Sequence, residues 1–95
     1  MAVGSAQRRQ ERKLLIEAQF PAADVEAALD LLHLADMAWH DCYGPSELAM
    51  PAETLDDVLL LAKGDLGMLI EYSLGAVRDF RDTRVAANRE RAKTR

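Results

Sequence analysis

A single apolar stripe of helical period between Leu55 and Phe80 is the feature that most restricts how this chain folds. Apolar positions recur at spacings of three and four residues, which share one face of a helix that turns about 100° per residue. The phase does not change at two intervening glycines, so the pattern predicts one helix over residues 52–90, with Gly64 as the site of any kink. At 1.5 Å per residue such a helix is roughly 57 Å long, and its last third would extend beyond a monomeric bundle. The stripe consists of Leu55, Val58, Leu59, Ala62, Leu66, Leu69, Ile70, Ser73, Val77 and Phe80.

Prolines and a glycine delimit two earlier helices. Strong helix formers occupy residues 5–19 and stop before Pro21, and a second amphipathic helix is predicted over residues 22–43, ended by Gly44. The 16 alanines and 14 leucines outnumber the β-branched residues, which also favours helices. The sequence therefore predicts an all-α, three-helix unit: a helical hairpin followed by the long helix. In the second helix, the face opposite the apolar stripe carries Glu26, Asp30, His33, Met37, His40 and Asp41.

A second buried face on the long helix would indicate a homodimer. A 95-residue chain forms one domain with a small core, whereas the predicted overhang and two leucines off the stripe require additional cover. Three glycines on the back of the long helix are consistent with a close neighbouring helix, although a kink or a tolerated imperfection explains them equally well. We therefore predict a dimeric bundle with an interface at Leu60, Leu61, Gly64, Gly67 and Gly75.

Charge is strongly segregated along the chain. Residues 14–77 contain twelve acids and one base, whereas residues 1–13 and 78–95 are both basic. Beyond Phe80 the apolar stripe continues as Arg81, Arg84, Asn88, Arg91 and Arg95, which predicts a basic contact surface. Its expected counterpart is acidic: Glu26, Asp30 and Asp41 of the same chain or of a partner subunit, or the acidic surface of another protein. Nucleic acid ranks lower because the acidic body repels a polyanion.

The stretch "HLADMAWHDCYG" contains the residues best suited to metal binding or catalysis. His33, Asp36 and His40 lie within two helical turns and toward the polar side, so they could supply two or three ligands. A closed zinc site needs four, and Cys42 lies about 160° around the helix from His40. No Gly-rich loop or oxyanion nest accompanies these residues. We therefore predict no metal, cofactor or catalytic residue, and the chain is not expected to be an enzyme.

Composition also bears on location and function. The single cysteine cannot form an internal disulfide, which favours a reducing compartment, and no apolar run is long enough to span a membrane. We expect a cytoplasmic protein, and its many arginines and few lysines are typical of GC-rich bacteria. The predicted function is non-enzymatic: an interaction, regulatory or adaptor protein acting through an acidic body and basic ends. The alternatives are a nucleic-acid-associated protein that uses its Arg-rich termini and a metal-binding or catalytic bundle centred on His33, Asp36 and His40.

Overall fold

A computed structural model describes residues 6–93, and the regular secondary structure in this range is entirely helical. The all-α prediction is confirmed. Predicted positions Ser5 and Arg95 lie outside the described residues. None of the helices described has the length and apolar character needed to cross a bilayer. The elements are α1 (Ala6–Gln19), a 3-10 turn (Ala22–Asp24), α2 (Val25–Tyr43), α3 (Ala52–Ala62) and α4 (Leu66–Lys93).

The boundaries of α2 follow from the predicted signals. Pro21 precedes the 3-10 turn that leads into the helix, and Gly44 ends it with a φ of 111°. The Gly44 N–H donates to the carbonyl oxygen of His40 at 3.0 Å, which satisfies one of the orphan carbonyls of the last turn. The connector over residues 44–51 ends with Pro51, which directly precedes the first residue of α3.

The predicted single helix over residues 52–90 is wrong, because the chain turns between α3 and α4. Lys63 and Gly64 have φ values of 52° and 74°, a left-handed conformation that ends a helix. Gly64 also packs so closely against α1 that a Cβ atom there would overlap the main-chain oxygen of Gln19. The apolar phase survives the turn because both helices face the same core. A shared phase therefore does not require a continuous helix.

A second bend divides α4 at Asp79, whose φ of −156° and ψ of 93° are extended rather than helical. Asp79 Oδ1 accepts a hydrogen bond from the Arg81 N–H at 3.0 Å, as an N-cap residue does. We call residues 66–78 α4N and residues 80–93 α4C. A straight helix of 28 residues would be about 42 Å long, whereas the longest extent of the molecule is 37 Å.

Ion pairs show how α4C lies on the fold. Glu53 near the start of α3 pairs with Arg84, and Lys63 after its end pairs with Glu90, both at 3.3 Å. The two segments therefore run alongside each other in the same direction. The predicted overhang is absent, because α4C packs back on its own chain and buries Thr83 and Ala87.

The apolar core lies between α2, α3 and α4N. The apolar stripe predicted on α2 is buried, and the two residues that widen it, Leu31 and Ala38, are half-buried. The buried members are Val25, Ala28, Leu29, Leu32, Ala35 and Trp39. In α1, only Ile16 among the apolar residues is buried, and Leu14 is largely exposed. Residues of the central core include Ile16, Phe20, Leu29, Leu32, Trp39, Met50, Val58, Leu59 and Leu69.

Candidate functional site

The structure does not bring His33, Asp36 and His40 together as metal ligands. Asp36 was expected on the polar side of α2, but its side chain is 1% exposed. Its carboxylate accepts hydrogen bonds from both Nη atoms of Arg12, at 2.7 and 3.0 Å, and from the Met50 N–H at 3.0 Å. The Nδ1 atom of His40 lies 2.9 Å from the carbonyl oxygen of Glu47. Over residues 6–93, no three His, Cys, Asp or Glu side chains are placed to hold a metal ion.

The basic stripe of α4 binds an acid of its own chain. Asp57 on α3 is 2% exposed; it forms an ion pair with Arg84 Nε at 2.9 Å and accepts a hydrogen bond from Arg91 Nη2 at 2.8 Å. Arg81 pairs with Asp79 at 3.1 Å, and the Asn88 Oδ1 accepts from Arg91 Nη1 at 2.9 Å. The fifth member, Arg95, is outside the part of the chain that the structure describes.

The acids expected to meet this stripe lie elsewhere. Glu26 and Asp30 pair with Arg9 of α1, at 3.0 and 2.7 Å. Asp41 is exposed and forms no ion pair with any of residues 6–93. Ion pairs within the fold thus join basic residues near the two ends of the chain to acids in its middle.

Arg12 and Asp57 hold buried ion pairs that were not predicted from the sequence. Arg12 lies four residues before the buried Ile16 and therefore on the same face of α1. Asp57 lies between Thr54 and Leu61 at helical spacing, and all three are buried. In both cases the sequence does show a charged residue on the same helix face as apolar residues, and such a position indicates a buried charge. The identity of the partner charge depends on the tertiary fold.

The five predicted dimer-interface residues lie in different environments. Leu61 is buried within its own chain and Leu60 is half-buried. Gly64 is in contact with α1, as described above. Gly67 is exposed, and a Cβ atom at Gly75 would meet nothing within 4 Å. Two of the five, Gly67 and Gly75, thus have no close neighbour from another helix of this chain.

An exposed apolar surface adjoins these glycines, and we call it the α2–α4 face. Leu34 of α2 is 60% exposed, and Ile70 and Leu74 of α4N are 51% and 50% exposed. They surround a hollow of about 220 Å³ whose wall also includes Leu31 and Ser73. The Ser73 Oγ is buried and has no hydrogen-bond partner among the described residues. Leu74 also borders a second hollow, of about 430 Å³, together with Glu71, Gly75 and Arg78.

A second concave surface, the aromatic groove, opens where α2 ends and α4C begins. Trp39 stacks against Tyr43 with ring centroids 4.2 Å apart, and Phe80 lies 5.8 Å from Trp39 and 6.1 Å from Tyr43. The Tyr43 hydroxyl donates to the carbonyl oxygen of Val77 at 2.9 Å, which fixes the ring against α4. The groove has a volume of about 760 Å³. Its lining is Trp39, Tyr43, Ser46, Glu47, Pro51, Glu53, Thr54, Asp57, Phe80, Arg81, Arg84 and Val85.

The α2–α4 face and the aromatic groove share no lining residue, and we consider both as candidate binding surfaces. One is apolar with a charged margin, and the other combines aromatic rings with charged walls. Compared with protein-family models, with curated proteins and with solved structures, the chain matches none of them.

Proposed function

We propose that this chain is a non-enzymatic protein-interaction protein that works as a homodimer through the α2–α4 face. One observation carries the proposal: Leu34, Ile70 and Leu74, all at least half exposed, form a continuous apolar surface on two adjacent helices. Apolar patches of this kind with polar margins are typical of protein contact sites. Burying the patch against a second copy would also extend the small core of a 95-residue chain.

Charge complementarity favours a second copy of the chain as the occupant. Glu71 and Arg78 are seven residues apart, two turns of α4N, and therefore lie on one side of it. Neither forms an ion pair with any of residues 6–93. If two copies pack α4N antiparallel about a twofold axis at Leu74 and Gly75, each Glu71 faces Arg78 of the partner subunit. A twofold interface is self-complementary in this way.

The shape of α4N supports the same arrangement. Leu74 lies between the two hollows of the α2–α4 face, so it forms a ridge with a recess on either side. Gly75 lies beside it in the helix interior, where glycine costs about 0.5–1 kcal/mol relative to alanine. Nothing within 4 Å inside the chain requires its small size. A helix of the second copy crossing at Gly75 would account for that cost.

The other predicted functions have weaker support. An extended anionic surface, of a nucleic acid or an acidic protein, would need the whole row of C-terminal arginines and would therefore compete with Asp57, which engages both Arg84 and Arg91. A metal-binding or catalytic role for His33 and His40 would need Asp36, which Arg12 occupies. We therefore assign the contact to the α2–α4 face, and we expect a cytoplasmic setting on the basis of the single cysteine.

Sedimentation velocity or light scattering on the full chain tests this proposal. We expect about twice the 10.5 kDa chain mass at tens of micromolar. Leu74→Glu should give a monomer, whereas the matched control Leu14→Glu, at an exposed leucine on α1, should remain dimeric. Circular dichroism verifies that both variants are folded.

A charge swap tests the orientation of the two copies. Glu71→Arg and Arg78→Glu should each weaken the dimer, because like charges would then meet across the twofold axis. The double variant E71R/R78E should restore it. A wild-type monomer over this concentration range, or equal effects of Leu74→Glu and Leu14→Glu, would overturn the proposal.

A further inference from the structure

We propose that the aromatic groove binds a small aromatic carboxylate, with the ring against the exposed parts of Tyr43 and Phe80, beside the buried Trp39, and the carboxylate at Arg81 and Arg84. This inference is independent of the homodimer, because the groove and the α2–α4 face have no lining residue in common. The chain would then bind a small molecule in addition to its second copy.

The size and lining of the groove suit a small molecule. Its volume of about 760 Å³ lies within the roughly 300–1,000 Å³ of typical small-molecule sites. Phe80 and Tyr43 are 41% and 38% exposed, so parts of both rings are open to a ligand. Aromatic rings associate in offset or edge-to-face geometry, and the rings of Tyr43 and Phe80, which lie edge to face with centroids 6.1 Å apart, provide surfaces for both.

The acids that line the groove already have partners. Asp57 is held by Arg84 and Arg91, and the Glu53 carboxylate accepts from Arg84 Nη2 at 3.3 Å. The Glu47 carboxylate accepts from Trp39 Nε1 at 3.3 Å. Arg84 and Arg91 offset the charges of Glu53 and Asp57, and the neutral Trp39 N–H gives Glu47 a hydrogen-bond partner, so two of the three acids are charge-paired and none is without a partner.

The two arginines, in contrast, retain unused donors. Arg81 uses Nε and Arg84 uses Nε and Nη2 for their ion pairs. The Arg81 Nη1 and Nη2 atoms and the Arg84 Nη1 atom have no partner among residues 6–93. Both side chains border the groove, three residues apart on one side of α4C. Guanidinium groups bind carboxylates in a forked, bidentate geometry.

Arg81 is free to turn toward a ligand at little cost. Its side chain is 79% exposed, and its pair with Asp79 is a surface ion pair of the kind that contributes little to stability. Asp79 would still accept the main-chain N–H of Arg81 and keep its capping role. A carboxylate at this position would therefore gain a guanidinium without breaking the bend in α4.

Fluorescence titration of the full chain tests the inference, because Trp39 is the only tryptophan and lines the groove. The probe is 3-phenylpropanoate, and its neutral amide is the matched comparison. We expect saturable quenching with a Kd of about 1 mM or tighter for the acid, and binding of the amide weaker by about tenfold.

Variants then locate the site. Arg81→Gln should weaken binding of the acid by about tenfold and leave binding of the amide unchanged. Val85→Phe, which keeps Trp39 as the only tryptophan, should fill the groove and abolish binding of both. The control Arg89→Gln, at an exposed arginine outside the groove, should have no effect. Equal affinity for acid and amide, no saturable signal up to about 5 mM, or equal losses in Arg81→Gln and Arg89→Gln would overturn the inference. The monomeric Leu74→Glu variant should still bind the acid, which would show that binding in the groove does not depend on the homodimer.

Discussion

Arg12 of α1 binds Asp36 of α2 through both of its Nη atoms, at 2.7 and 3.0 Å, and both side chains are buried. The same carboxylate accepts the main-chain N–H of Met50 in the connector. One buried acid thus joins three segments that are distant in sequence: the first helix, the second helix and the loop before α3. The pair explains how α1, which buries few apolar residues, is held on the fold.

Removal of Arg12 is therefore expected to destabilise the protein strongly. Arg12→Met leaves Asp36 buried without its cation, a change that typically costs about 3–5 kcal/mol. Urea denaturation measures the loss, and Arg9→Met is the control, since the pairs of Arg9 are exposed and should contribute about 0–1 kcal/mol. Similar losses in the two variants would contradict the structural role of the buried pair.

Asp57 should anchor α4C in the same way. Asp57→Asn removes the charge that Arg84 and Arg91 share, and we expect a loss of about 2 kcal/mol or more. The rate of amide hydrogen exchange should increase most in residues 80–93. The adjacent Asp56→Asn is the matched control because Asp56 is exposed, and its effect should stay within about 0.5 kcal/mol.

Truncation after Phe80 extends this test. The overhang predicted from the sequence would imply that the fold survives the cut. In the structure the cut removes both cations from Asp57 and leaves this buried carboxylate without a partner charge. We now expect a lower melting temperature, with helicity lost beyond the deleted residues in far-UV circular dichroism. An unchanged melting temperature would show that α4C does not support the fold.

Two glycine substitutions should have opposite effects. Gly64→Ala forces a Cβ into the main chain of Gln19 at a positive φ, so it should cost more than about 1 kcal/mol. Gly75→Ala, measured in the monomeric Leu74→Glu background, should stabilise α4N by about 0.5–1 kcal/mol because the space there is open. Thermal denaturation of both variants checks the pair. Stabilisation by Gly64→Ala would contradict the described turn.

Acid should weaken the bend at Asp79. Hydrogen bonds donated by the side chain and the main chain of Arg81 hold the pKa of Asp79 below its usual value. A depressed pKa contributes stability that is present above the unfolded-state pKa of about 4 and is lost as the pH falls through the folded-state value. Wild type should thus exceed Asp79→Asn in stability at neutral pH, and the difference should shrink in acid. Because Asn also caps helices, a difference that is independent of pH would point to capping rather than charge.

Chelation is not expected to change stability. Asp36 is occupied by Arg12 and Met50, so the His33, Asp36 and His40 group offers no set of ligands that would couple metal binding to folding. A melting curve with and without EDTA should coincide. A large fall in melting temperature with EDTA, or stoichiometric zinc in the purified protein, would restore the metal-binding alternative.

Local signals in the sequence determined the helical class, the extent of α2 and its buried stripe. Each depends on interactions within a few residues: the 3.6-residue period, the propensities of Ala and Leu, and the stops at Pro21 and Gly44. At Gly64 the sequence indicated only a possible kink and not the end of a helix. The apolar phase is the same on both sides of it, and the left-handed turn is selected by the close approach of Gln19.

Tertiary structure alone decided where the charges go. The sequence shows basic ends and an acidic middle, but ion pairs form between residues that the fold brings within about 4 Å, whatever their separation along the chain. Asp36 and Asp57 could be buried only because Arg12, Arg84 and Arg91 reach them, since an unpaired buried charge is too costly. The bend at Asp79 makes the second of these sites possible by returning α4C to α3, and it also opens the aromatic groove.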